Sequence, residues 1–301
     1  MELIGMKKIM LLSGHDIDVL QNSSVSKDVF DVYKKGLVYK LAKKSKYTLP
    51  FSFAEWTTLL HLYDIVVIFD TYYNEGMVEY IYKINPDIKV IFYCWNSIKT
   101  ISQRIDIKKI FANDKIEMWS YNRSDCKKYK MKYNPQIWNK ELIQSNSAPN
   151  FDISFIGSPK HRLDYLREIA DYCDKNHLKT YFYITNCKCS FNKNVDDSFL
   201  PYEEYIKKIA SNSRAILDLV TEENYGLTLR PLEALFLKKK LITNYYEIID
   251  EPFYNESNIY LYGRDNRNID EFLKIPYEEI QKEVVNMYDC QSWIERFERT
   301  E

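Results

Sequence analysis

At 301 residues and 46% hydrophobic content, the chain is long enough for two domains of ordinary size, each with its own core. A formal net charge of −1 gives no overall pull toward nucleic acid, so no nucleic-acid partner is expected. The sequence shows no apolar run of signal length and no stretch of about 18 apolar residues, which leads us to expect a soluble, cytoplasmic chain. The six cysteines (Cys94, Cys126, Cys173, Cys187, Cys189, Cys290) have no paired zinc spacing. Cys187-Lys188-Cys189 is a lone C-x-C, and all six are read as reduced thiols.

Residues 7–12 (KKIMLL) form an apolar run that ends at Ser13-Gly14-His15-Asp16, which predicts a first strand with a loop at its carboxyl end. Open α/β sheets place ligands at such ends. His15 there is a candidate to take a proton from an acceptor hydroxyl, against the alternative of a surface or loop-bonded histidine. Asp16 and Asp18 have the D-x-D spacing of a metal pair but are read as helix-start carboxylates, with Asp18 a second candidate behind His15. Residues 27–46 read as a basic helix carrying Lys34, Lys35, Lys40, Lys43, Lys44 and Lys46 among tyrosines. A second cluster follows at Lys127, Lys128, Lys130 and Lys132. Basic and aromatic residues together suit either a solvated helix face or peripheral contact with an anionic membrane.

Residues 64–70 (DIVVIFD) and 88–95 (IKVIFYCW) read as buried strands, with a helix over 75–84 stopped by Asn85-Pro86. Asn96 and Ser97 then fall at a strand's carboxyl end. Residues 107–110 and 115–120 continue the rhythm, and Asn122-Arg123-Ser124-Asp125 reads as a helix entry. Alternating strands and helices predict a parallel sheet with covered faces. Residues 144–150 (QSNSAPN) are the linker candidate.

A second α/β unit begins with a strand at 151–156 (FDISFI), followed by Gly157-Ser158-Pro159-Lys160-His161-Arg162 and a helix over 163–176. A glycine after a strand and basic residues at a helix start make either a phosphate contact or a plain turn. Residues 180–185 are the next strand, 187–198 a polar loop and 201–212 a helix. Residues 215–220 are a buried strand, and a helix is expected from Pro231. Arg230 would stand just ahead of that helix, positive charge against the positive end of the dipole, a conflict that a bound phosphate resolves. Glu233 in the first turn is either a cap or an acceptor for ribose hydroxyls. Strands follow at 240–243 and 259–262, and a helix is expected over 276–297.

The run Asp152 to Gly157 with Lys160 and Arg162, then Gly226-Leu227-Thr228-Leu229-Arg230-Pro231-Leu232-Glu233, Lys239 to Asn244, Pro252 to Asn255 and Asn258-Ile259 resembles a known pattern. It is similar to the C-terminal half of a two-Rossmann (GT-B) glycosyltransferase, in particular the group 1-like domain of bacterial lipopolysaccharide and capsule biosynthesis enzymes. The resemblance covers somewhat over a third of the chain. It implies two Rossmann-like domains facing across a cleft, with an N-terminal acceptor domain at 1–145 and a nucleotide-sugar domain at 151–285. A final helix over 286–301 would pack back on the first. It implies pyrophosphate contacts from the 157–162 loop, with Gly157, Lys160 and Arg162, and from Arg230, a ribose contact from Glu233, and a place for Thr228 among the donor-binding residues. Gly226 stands seven residues before Glu233, wider than in the commonest retaining group, so retention and inversion both stay open.

The expected activity is metal-independent transfer of a sugar from a nucleotide-sugar donor to a glycan or lipid-linked acceptor, with no cofactor. Arginine, lysine and helix ends would supply the charge that the leaving pyrophosphate needs. In an inverting course His15 would be the base; in a retaining one it would position the acceptor. Two further expectations are a non-catalytic nucleotide- or glycan-binding scaffold and a two-domain nucleotide-sugar epimerase.

Overall fold

The computed structural model describes residues 7–13, 20, 23, 28–38, 40, 49–143, 148–193, 198–221 and 225–298. It is a mixed α/β chain that divides into two compact units. One comprises residues 1–136 together with 290–301, and the other residues 137–289. Each holds a parallel sheet, as the strand–helix alternation requires.

The first sheet contains β1 (Ile9–Ser13), β2 (Val29–Asp31), β3 (Ile65–Phe69), β4 (Lys89–Cys94), β5 (Ile116–Ser120) and β6 (Lys132–Tyr133), in the order β2-β1-β3-β4-β5-β6. Leu11 sits opposite Val29 and Val67, and Val67 opposite Ile91. All five residues of β1 and of β3 are buried, which is why these strands read as unbroken apolar runs. The order reverses at β1, with β2 on one side and β3 on the other. Ser13 ends β1 there, its buried Oγ finding no partner among the described residues. His15 and Asp18, the candidate base and its neighbour, lie outside the described residues.

The basic helix expected over 27–46 is corrected at its start. Val29–Asp31 is an edge strand paired in parallel with β1. Valine and phenylalanine favour a pleated surface, and the unpaired edge of β1 offers a ladder that overrides helix propensity. Lys34, Lys35 and Lys40 are exposed, and Lys34 Nζ donates to the Phe51 carbonyl at 3.1 Å. Lys43, Lys44 and Lys46 lie outside the described residues. In the second cluster Lys132 pairs with Glu117 at 3.2 Å, while Lys127, Lys128 and Lys130 are exposed. No helix among the described residues is long and apolar enough to cross a membrane.

Asn96 and Ser97 turn inward at the end of β4. Asn96 donates through its backbone and Nδ2 to the buried Asp70, at 3.1 and 3.0 Å. Ser97 caps the helix Ile98–Ile101. Asn122 caps Arg123–Tyr129 by accepting from the Asp125 amide at 3.0 Å.

The second sheet contains β7 (Phe151–Gly157), β8 (Thr180–Ile184), β9 (Ser213–Asp218), β10 (Lys240–Thr243) and β11 (Ile259–Leu261), in the order β11-β10-β9-β7-β8. Ile153 pairs with both Thr180 and Ala215, and Leu241 with both Ile216 and Ile259. One face is covered by the helix Leu163–Lys175 through Leu166, Ile169 and Cys173. The other is covered by Tyr202–Lys208 and Leu229–Phe236 through Ile206, Leu232 and Phe236.

Two stretches depart from expectation. The units divide after Gln136, ahead of the 144–150 stretch read as a linker. Residues 137–143 belong to the second unit because Trp138 is fully buried there, 4.9 Å from Phe236 and hydrogen-bonded to Tyr202. The tail is not one helix over 276–297 but two short ones, Lys282–Asn286 and Cys290–Glu295. Between them the chain runs beside Trp138, whose amide donates to the Tyr288 carbonyl at 3.0 Å, and Asp289 pairs with Lys140 at 2.7 Å. These bonds compete successfully with continued helix. The last helix lies in the first unit. Trp293 is buried against Tyr93 at 5.0 Å and Phe297 at 4.7 Å, and its Nε1 donates to the Pro135 carbonyl.

Candidate anion site in the second unit

The strand order of the second sheet reverses between β7 and β9, so their carboxyl ends sit side by side with chain leaving in opposite directions. In open α/β sheets this is where a ligand finds room. The turn after β7 carries Gly157, Lys160 and Arg162. The segment after β9 leads to Thr228, Arg230 and Glu233. The structure therefore brings the six sequence-expected residues to one end of one sheet.

Gly157 is required twice over. Its φ of +153° is one that side chains rarely adopt, and a Cβ there would meet Arg162 Nη2 and the Phe155 ring at 3.3 Å. We expect Gly157→Ala to cost about 1–2 kcal/mol and to displace Arg162, read as a lower urea midpoint with an unchanged m-value. Lys160 is exposed at a φ of 39°, with no hydrogen-bond or ion-pair partner among the described residues. Arg162 spans the reversal: Nε donates to the Ser158 carbonyl at 3.1 Å and Nη1 to the Leu219 carbonyl at 2.5 Å. The guanidinium thus ties β7 to β9 and leaves Nη2 against Gly157.

The helix of the site begins at Leu229, two residues earlier than expected, so Arg230 lies inside its first turn and not ahead of it. Thr228 is the residue before the helix, but its hydroxyl does not cap it. It donates instead to Asp218 Oδ1 at 3.0 Å, while the Thr243 hydroxyl donates to Oδ2 at 3.2 Å. Arg230 donates to Glu233 and, through Nη2, to the Ile156 carbonyl at 3.3 Å. Its guanidinium also lies 5.0 Å from the centre of the Tyr205 ring.

Glu233 is the residue whose surroundings differ most from the ribose-contact expectation. It is fully buried. Tyr202 donates to Oε1 at 2.9 Å, Tyr205 to Oε2 at 3.0 Å, and Arg230 adds a charged donor to Oε1. Trp138 Nε1 in turn donates to the Tyr202 oxygen at 3.0 Å. In this arrangement Glu233 positions Arg230 and presents no free oxygen to a ligand.

The electrostatics follow from two arginines sharing one end of a sheet. Burial lowers the pKa of Arg162, with Asp218 supporting its charge and Arg230 opposing it. Burial also works against Arg230, but Glu233, the two tyrosines and Asp218 together raise it above its ordinary value. Burial raises the pKa of Asp218 against the opposing pull of Thr228, Arg230, Arg162 and Thr243. Burial and Glu233 raise both Tyr202 and Tyr205, so their hydroxyls stay protonated donors. Thr221 Oγ1, just past β9, is buried without a partner among the described residues. Asn244 holds the adjoining backbone, accepting from the Val220 amide at 2.7 Å and donating back to its carbonyl at 3.1 Å. Glu222 and Glu223 lie outside the described residues.

Asp218, Tyr202, Tyr205 and Asn244 carry much of this geometry, and none was assigned a role from the sequence. The signal for Asp218 was present: it is the one charged residue within the apolar run 215–220. Among the described residues no group of three or more histidine, cysteine or carboxylate side chains is placed to hold a metal ion. Neither the family models nor the curated proteins compared with this chain gave a match.

Proposed function

We propose that the protein is a nucleotide-sugar-dependent glycosyltransferase of the GT-B kind, acting on a glycan or lipid-linked acceptor in surface polysaccharide assembly, and that the second unit holds the donor's diphosphate. One observation carries the reading. Two guanidiniums, Arg162 from the turn after β7 and Arg230 from the first turn of the eight-residue helix Leu229–Phe236, both reach the strand reversal, beside the exposed Lys160. A diphosphate placed there would satisfy donors that now turn toward backbone carbonyls. The same charges would stabilise the pyrophosphate as it leaves, without a metal. The finer GT-B reading, in which both units serve one donor and one acceptor with His15 and Asp18 supplying the base, belongs to this proposal.

The test is thermal unfolding with uridine, guanosine and thymidine diphosphates and cytidine monophosphate. At a ligand concentration of about one hundred times Kd, one of them should stabilise the folded state by about 2.7 kcal/mol, seen as a Tm rise of about 5–11 °C. A chelator should leave the rise intact. No shift with any of the four would remove the reading.

A further inference from the structure

The C-x-C motif is untouched by the function proposed above, yet its geometry is specific. Cys187 and Cys189 lie in the loop after β8 with their Sγ atoms 2.9 Å apart, and both are free thiols, partly exposed. Cys94, Cys126, Cys173 and Cys290 are buried. The loop is closed on itself by Asn192. Its Oδ1 accepts from the Ile184 amide at 2.7 Å, and its Nδ2 donates to the Ile184 and Cys187 carbonyls at 2.7 and 2.6 Å. The Cys189 carbonyl accepts from the Asn192 amide at 3.1 Å. Two sulfur atoms are thus held in contact by a backbone whose shape is set elsewhere.

We propose that Cys187 and Cys189 are a thiol–disulfide exchange site that takes low-molecular-weight disulfides and closes to an intrachain disulfide, altering the turn that carries Gly157. One cysteine, as thiolate, attacks a sulfur of the small disulfide, forms a mixed disulfide and expels one small thiolate. The second cysteine, as thiolate, attacks the protein-side sulfur, forms the Cys187–Cys189 bond and expels the other. The protein loses two electrons and two protons, and the small disulfide leaves as two thiols. Burial and the hydrogen bond with Cys187 push the Cys189 thiol up to about 11, so Cys189 attacks slowly at neutral pH and faster as pH rises.

The link to the neighbouring turn is short. Ile184 pairs with Gly157 across β8 and β7, and the Thr185 amide donates to the Gly157 carbonyl at 3.1 Å. The Cys187 carbonyl shares its donor, Asn192, with Ile184. Closing the disulfide re-aims Cys187 and therefore strains the clamp that fixes the end of β8.

The full chain should be equilibrated in glutathione buffers from fully reduced to fully oxidised, alkylated and mapped by mass spectrometry. We expect the peptide containing both cysteines to lose two hydrogens with one midpoint and no retained glutathione. Cys187→Ser and Cys189→Ser should each lose that transition. In parallel, amide hydrogen exchange over residues 184–193 should rise about tenfold on oxidation, and a Cys187→Ala/Cys189→Ala variant should show no such rise. A wild-type pair that stays fully alkylatable in oxidised buffer, or that stops at a stable glutathione adduct, would overturn the exchange site. Equal exchange rates in the two states would overturn its link to the Gly157 turn. Neither readout depends on what the arginines bind.

Discussion

Arg230→Ala should lower the stability of the second unit by about 3–5 kcal/mol, the usual cost of stripping one partner from a buried ion pair. The reason is Glu233. Its carboxylate is fully buried, and Arg230 is its charged donor. After truncation Tyr202 and Tyr205 still donate, at 2.9 and 3.0 Å, but both are neutral and held so by burial. Glu233 would then be a buried carboxylate without a charged partner, which costs free energy. Urea unfolding followed by circular dichroism gives the measurement. The double variant Arg230→Met/Glu233→Leu should recover only part of the loss, because it removes both charges but leaves the Tyr202 and Tyr205 hydroxyls without their acceptor. A single variant as stable as wild type would show that Glu233 does not depend on Arg230. The consequence for function is direct. The sequence alone suggests Arg230→Ala as a clean binding knockout that stays folded, whereas the ion pair means that lost nucleotide binding in that variant would mix loss of contact with loss of structure.

What could be read beforehand, and what could not, divides along a physical line. Parallel strands buried on both faces announce themselves locally, so β1, β3, β4, β7, β9 and β10 follow from apolar runs alone. The turn at Gly157 and the helix that carries Arg230 were legible as local structure because a glycine after a strand and a proline near a helix start mark such junctions. The edge strand Val29–Asp31 was hidden because its pairing with β1 is not local, and the lysines beyond it suggest a helix. The partners of Glu233 were hidden for a related reason. Tyr202 and Tyr205 are about thirty residues earlier in the chain and reach it only once two helices share one face of the sheet. A carboxylate in a first turn looks the same in sequence whether it faces a ribose or a buried arginine.

That distinction makes Arg162 the better probe of the proposed anion site. Arg162→Ala should weaken nucleoside diphosphate binding by about a hundredfold, equivalent to about 2.7 kcal/mol, while costing only about 1–2 kcal/mol of stability. Its donors go to two backbone carbonyls, those of Ser158 and Leu219, which water can satisfy at a partly exposed position. Asp218 would keep Thr228, Thr243 and the charge of Arg230. Arg162→Lys should not restore affinity. A lysine bears one nitrogen, and it cannot bridge the carbonyls of Ser158 and Leu219 while still presenting an N–H beside Gly157. The unphosphorylated nucleoside should bind wild type and variant alike, since the lost contact is to phosphate. Calorimetric titration with the diphosphate and its nucleoside separates these cases. If Arg162→Ala folds normally and binds the diphosphate within threefold of wild type, the two arginines serve only to stitch β7, β9 and the helix Leu229–Phe236 together. Equal losses for diphosphate and nucleoside would instead mean that Arg162 holds the shape of the turn after β7 and does not touch the phosphate.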